Sequence, residues 1–174
     1  MAGLMAVGGG GASAIRVIHL FQILLLGGCA VLLFDLTRRL TGSEAAARVA
    51  SGWVVLFPPL VAYTHYLWPE IPHLFVFLAA LWLLQARWRS DAWCVVAGVA
   101  LGLALLLKLL LLPFVPLLLV AVLTGKPQAR AIRSTVIVAL TLSATIAPTV
   151  LSNYRRSGAP VIADSISFNL WIGL

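Results

Sequence analysis

Residues 15–39 read IRVIHLFQILLLGGCAVLLFDLTRR, and this stretch decides the fold class. At ~1.5 Å per residue, the apolar run from Ile15 to Phe34 is long enough to cross a hydrocarbon layer roughly 30 Å thick. It ends on Asp35, Arg38 and Arg39. Further apolar runs follow, so that 62% of the chain is hydrophobic and its mean hydropathy is +1.07. Such a composition leaves too little polar surface to cover a soluble globule, and lipid must be the solvent for most of the chain. The expected fold is all-α, a polytopic transmembrane helix bundle of about six spans with some kinked by proline. At 174 residues, no room remains for a soluble domain.

Working outward, the pattern predicts spans over about 15–36, 45–67, 71–86, 92–111, 113–124 and 134–151. Together they make a helical domain over 14–151, flanked by an outward Gly-rich loop (1–13) and an outward polar tail (152–174). Gly42-Ser43-Glu44 supplies a turn and an N-cap between the first two spans. Pro58 and Pro59 fall in the middle of the second span and are expected to kink it, because proline removes a backbone donor. Pro113 and Pro116 separate the fourth and fifth segments, which should form a tight hairpin. The N-terminal glycines lack the following Lys-Ser/Thr of a phosphate loop and the basic n-region of a signal peptide. Cys29 and Cys94 have no metal-binding spacing and read as packing residues; no metal site is expected.

A net charge of +7 could point to nucleic acid, but no basic stretch is interleaved with aromatics in a soluble setting. Topology explains it better. Arg38, Arg39, Arg48, Arg87, Arg89, Lys126, Arg130 and Arg133, eight of the 12 basic residues, fall in loops on one side, which is therefore cytoplasmic. Tyr63, Tyr66 and Trp68 then sit at the outer boundary, where amphipathic rings favour the headgroup layer.

Ionisable residues within or beside a span cost about 2.5–3.5 kcal/mol at mid-bilayer and call for a cavity or a partner. Arg16 and His19 share a face at the outward end of the first span, and Glu70 and His73 do so at the outward start of the third. His65 lies across the turn and Lys108 in the outward hairpin. These groups could form a substrate-binding mouth. Arg16 and Lys108 could instead snorkel to the headgroups, and the histidines could be interfacial residues with satisfied hydrogen bonds. Glu70, held between Pro69 and Pro72, gains nothing from lipid phosphates; it is either a helix N-terminal charge or a catalytic acid.

Near the end of the chain stand Asn153-Tyr154, then Gly158 and Val161, then Asn169-Leu170-Trp171-Ile172-Gly173. This resembles the membrane-embedded C-type glycosyltransferases of the dolichyl-phosphate-mannose protein mannosyltransferase and aminoarabinose transferase superfamily, in its bacterial form. Three further stretches are similar to the family's pattern: Arg16 with the turn at Arg38-Arg39-Leu40-Thr41-Gly42, the run from Phe57-Pro58 to Glu70, and Gly98 to Lys108. Thr149 and Ser152 depart from it, standing where the motif has Trp and Arg, and leave Arg155 or Arg156 to supply that cation. The family's principal acidic residue would lie in a loop before the first span here. The resemblance therefore implies an internal fragment of a longer enzyme, inactive by itself.

The resemblance implies transfer of a sugar from a polyprenyl-phosphate donor to a lipid or protein acceptor at the extracytoplasmic face of the bacterial inner membrane. Such a reaction needs an acid or base at the acceptor, cations at the leaving phosphate and a groove for the prenyl chain. Glu70 is the expected catalytic group. Arg16, His65, His73, Lys108, Asn153, Tyr154, Arg155, Arg156 and Asn169 are expected to bind substrate. No cofactor is specified, and a divalent cation is left open. Nucleic acid is not an expected partner. A small transporter or lipid carrier, or a non-catalytic membrane subunit, are the alternatives from other classes.

Overall fold

The computed structural model describes residues 11–66, 68–85, 90–124 and 128–162, and among these every regular element is helical. The elements are α1 (Gly11–Thr41), α2 (Glu44–Leu56), α3 (Pro58–Tyr63), α4 (Glu70–Gln85), α5 (Asp91–Leu107), a 3₁₀ segment (Leu109–Phe114), α6 (Val115–Thr124) and α7 (Gln128–Ser157). They fall into two compact units, 1–78 and 79–174.

In the first unit, α1 runs 31 residues and ends where the sequence places its stop. Arg38 and Arg39 occupy the last turn, where cations complement the helix dipole, and Arg39 pairs with Asp35 at 2.6 Å. Gly42 then adopts φ +68, a left-handed conformation that glycine enters without strain, while its N–H reaches the Arg38 carbonyl. Ser43 caps α2 by accepting from the Ala46 N–H at 3.2 Å. Small side chains sit where these two helices are buried, Cys29 on α1 and Ala47 on α2 among them. On α1, a Cβ added at Gly28 would lie 2.6 Å from the Phe75 ring, so the start of α4 also seats closely on α1.

The second expected span is not one kinked helix. It breaks at Phe57, which is extended (φ −70, ψ 112), because a residue before proline is excluded from the helical region. Pro58 and Pro59 then open α3, where their missing donors cost nothing. Beside the break lies a groove of about 380 Å³, lined by apolar side chains of α2 and α3 with Arg48 at one end.

In the second unit, α5 buries Cys94, Ala97, Gly98, Leu101, Gly102, Ala104 and Leu105, a stripe at helical spacing. Its glycines lie against α7. A Cβ on Gly98 would stand 2.7 Å from the Val138 carbonyl oxygen, and one on Gly102 2.6 Å from Thr145 Cβ. Asp91 and Arg133 pair across the same two helices. The partners keep one register along both, so α5 and α7 run parallel, packed backbone to backbone through small residues as membrane helices are. α5 stops at Leu107, short of the expected 111, because Lys108 is extended (φ −150, ψ 116). α7 starts and ends outside its expected bounds of 134 and 151. Arginine is a good helix former, so Arg130 and Arg133 lie inside its opening turns, and it continues through Arg156 until Gly158 (φ +73) caps it.

Candidate functional site

The expected site residues that the structure describes are divided between the two units. In the first unit, Arg16 and His19 lie on successive turns of α1, and the His19 ring stands 5.8 Å from that of His65. His65 follows α3 in a turn anchored by Thr64, only 2% exposed, whose hydroxyl donates to the Val61 carbonyl at 2.7 Å. His65 Nδ1 lies 3.2 Å from that carbonyl and 3.1 Å from Thr64 Oγ1. A carbonyl can only accept, so in the neutral ring Nδ1 carries the proton and Nε2 is the acceptor.

The aromatic residues expected at the outer boundary do cluster: the Trp68 ring is 5.8 Å from Tyr63 and 5.6 Å from Tyr66. Immediately beyond, Glu70 is the first residue of α4, with its Oε2 atom buried. The Pro69 carbonyl accepts the His73 N–H at 2.8 Å, which fixes the opening turn around Glu70. The peptide dipoles of α4 favour a carboxylate at this end. His73 lies one turn further, stacked on Phe77 at 6.4 Å and 7°.

Gln22 was not among the expected site residues, yet it lies closest to the core of this cluster. It is 1% exposed, and its Nε2 donates to the Tyr66 carbonyl at 2.9 Å. Its Oε1 is buried and, among the described residues, meets no donor. A buried amide acceptor left unmatched costs about 1–3 kcal/mol, a cost set against the bond that Nε2 makes to Tyr66. The sequence signal was available: Gln22 follows Arg16 and His19 at three-residue intervals on one side of α1.

In the second unit, Lys108 sits half-buried in the extended break between α5 and the 3₁₀ segment, its N–H held by the Ala104 carbonyl at 2.9 Å. At the end of α7, Asn153 Nδ2 donates to the carbonyls of Val161 (2.9 Å) and Ile162 (3.3 Å), folding the following chain back on the helix. Both amide hydrogens are thereby engaged, and Oδ1 is the part of Asn153 that a ligand could use. Tyr154, Arg155 and Arg156 are exposed in the last helical turn, where the two arginines also complement the dipole. Asn169 lies outside the described residues, as do Arg87, Arg89 and Lys126. Among the described residues, no three of His, Cys, Asp and Glu gather as a metal site.

Two helical stretches, Ser13–Thr41 and Arg130–Ser157, are long and apolar enough to cross a bilayer, and only 28% and 17% of their apolar windows are buried within the protein. Leu24, Val31 and Leu140 are more than three-fifths exposed. A soluble protein would hide such surface; lipid has no reason to exclude it. These helices and the charged groups set at their ends define an α-helical membrane protein. The chain belongs to the dolichyl-phosphate-mannose-protein mannosyltransferase family, whose sequence profile matches residues 1–152. No curated protein and no solved structure matches it. The family is one of membrane glycosyltransferases. Its match takes in Arg16, His65, Glu70, His73 and Lys108 and stops just before the Asn153-Tyr154 motif.

Proposed function

We propose that this protein transfers a sugar from a polyprenyl-phosphate donor to an acceptor at the outer face of a bacterial inner membrane, with Glu70 as an acidic group at the acceptor. The observation that carries this reading is Glu70 itself: a half-buried carboxylate at the start of α4, fixed by Pro69 and His73 and lying within the family match. A carboxylate with one oxygen buried beside an apolar helix is suited to taking up the acceptor hydroxyl proton. Lys108, Arg16, Arg155 and Arg156 are the candidates to offset charge on the departing prenyl phosphate, since each is a basic side chain beside an apolar segment. His65, His73, Asn153, Tyr154 and Asn169 complete the proposed binding set. The groove at the α2–α3 break, apolar and open to lipid, is the proposed seat of the prenyl chain.

By the positive-inside rule, the basic residues of the α1–α2 turn and of the start of α7 are proposed to face the cytoplasm. Glu70→Gln in the protein expressed from its complete gene, with polyprenyl-phosphate mannose as donor, tests the role of Glu70. Turnover should fall at least a hundredfold at normal expression; undiminished turnover would remove Glu70 from the site.

A further inference from the structure

We infer that Gln22 is a positioning residue for Glu70: its buried amide, bonded to the Tyr66 carbonyl, fixes the turn from which the Glu70-bearing helix departs. The inference rests on the reading of Glu70 as the acidic group. The amide of Gln22 is 1% exposed and its Nε2 reaches Tyr66 at 2.9 Å, across 44 residues of sequence. On the far side of Leu67, ring contacts and the opening turn of α4 hold the described chain. The Trp68 ring lies against both Tyr63 and Tyr66, Pro69 fixes its own φ, and the Pro69 carbonyl already accepts from His73 in the first turn of α4. Within that first turn Ile71 is fully buried, and one turn lower Phe75 rests on Gly28 of the same α1.

The start of α4 is thus tied to α1 at two levels. The lower tie is apolar contact, which resists separation but tolerates sliding. The upper tie, through Gln22, is directional, and a hydrogen bond of this kind weakens steeply once its angle is lost. It therefore sets how Glu70 is aimed. A polar amide at this position carries a cost as well as a bond, because Gln22 Oε1 is buried and, among the described residues, has no donor. Packing alone does not call for an amide here; the directional bond to Tyr66 does.

Gln22→Met keeps the length of the side chain and removes its donor. The test measures kcat and KM for polyprenyl-phosphate mannose, together with thermal stability, in Gln22→Met, Glu70→Gln and the double variant. Gln22→Met should lose about tenfold to a hundredfold in kcat, the scale of an ångström of misplacement, with donor KM near the parent and the protein still folded. In the Glu70→Gln background the same change should have no further effect, since there is no carboxylate left to aim. Hydrogen exchange should rise at amides 68–73 and not at 94–105. Unchanged kcat in Gln22→Met, or losses that multiply in the double variant, would overturn the positioning role while leaving Glu70's role intact. Full turnover in Glu70→Gln would overturn the reading of Glu70 and this inference with it. If Gln22→Met does not fold, Gln22→Leu is measured in the same way; failure of both would show that the tether is structural and would also overturn the proposal.

Discussion

Replacing Gly98 with alanine should separate α5 from α7, and the size of the effect follows from distances. The added Cβ would stand 2.7 Å from the carbonyl oxygen of Val138 and would also overlap the Thr141 side chain. Thr141 can rotate, although it would give up its hydroxyl bonds to Ile137 and Val138. The carbonyl is main chain within α7 and cannot move alone. Restoring ordinary contact requires the helices to part by roughly half an ångström along a seam where both Gly98 and Gly102 are buried. Overpacking of this kind costs about 1–3 kcal/mol, against which alanine's better helix propensity returns up to about 1 kcal/mol. The net loss should be about 1–2 kcal/mol, read as a fall of a few degrees in Tm in detergent. Gly27→Ala is the control, since nothing lies within 4 Å of a Cβ there, and it should be neutral or slightly stabilising. If Gly98→Ala proves as harmless as Gly27→Ala, the helix backbones do not meet as described.

Two other substitutions separate structural from substrate-binding roles. Asn153→Ala should cost about 1 kcal/mol, the worth of its bonds to Val161 and Ile162, and should raise hydrogen exchange over 158–162; an unchanged exchange pattern would free Asn153 for substrate binding alone. Gly52→Phe adds a side chain where Gly52 has open space in the α2–α3 groove, so donor KM should rise several-fold with kcat and Tm unchanged if the prenyl chain lies there; an unaltered KM would place the chain elsewhere.

The parts of the fold legible in the sequence were those written in local chemistry. The stop at Arg38–Gly42, the cap at Ser43 and the start of α4 at Glu70 depend on a few neighbouring residues, and each stands where those residues require. The break at Phe57 and the extended Lys108 were harder to read. An apolar run with proline in it is compatible with a kinked helix or with two helices, and hydropathy is the same for both. α7 outruns its apolar span because Ser152 to Ser157 lose hydrophobicity without losing the capacity to be helical. At the candidate site, pairs at i,i+3 and the proline bracket around Glu70 singled out the first turns of α1 and α4. The Gln22–Tyr66 bond joins residues 44 apart, and only tertiary packing could reveal it.

The central claim is that a sugar leaves its lipid phosphate on this protein. Proteoliposomes carrying the protein from its complete gene, supplied with polyprenyl-phosphate mannose and a membrane extract as acceptor source, can be followed by mass spectrometry. Released polyprenyl phosphate should accumulate in step with mannosylated acceptor, and Glu70→Gln should suppress both. Intact donor crossing the bilayer with no prenyl phosphate released would contradict the account and mark the protein as a carrier.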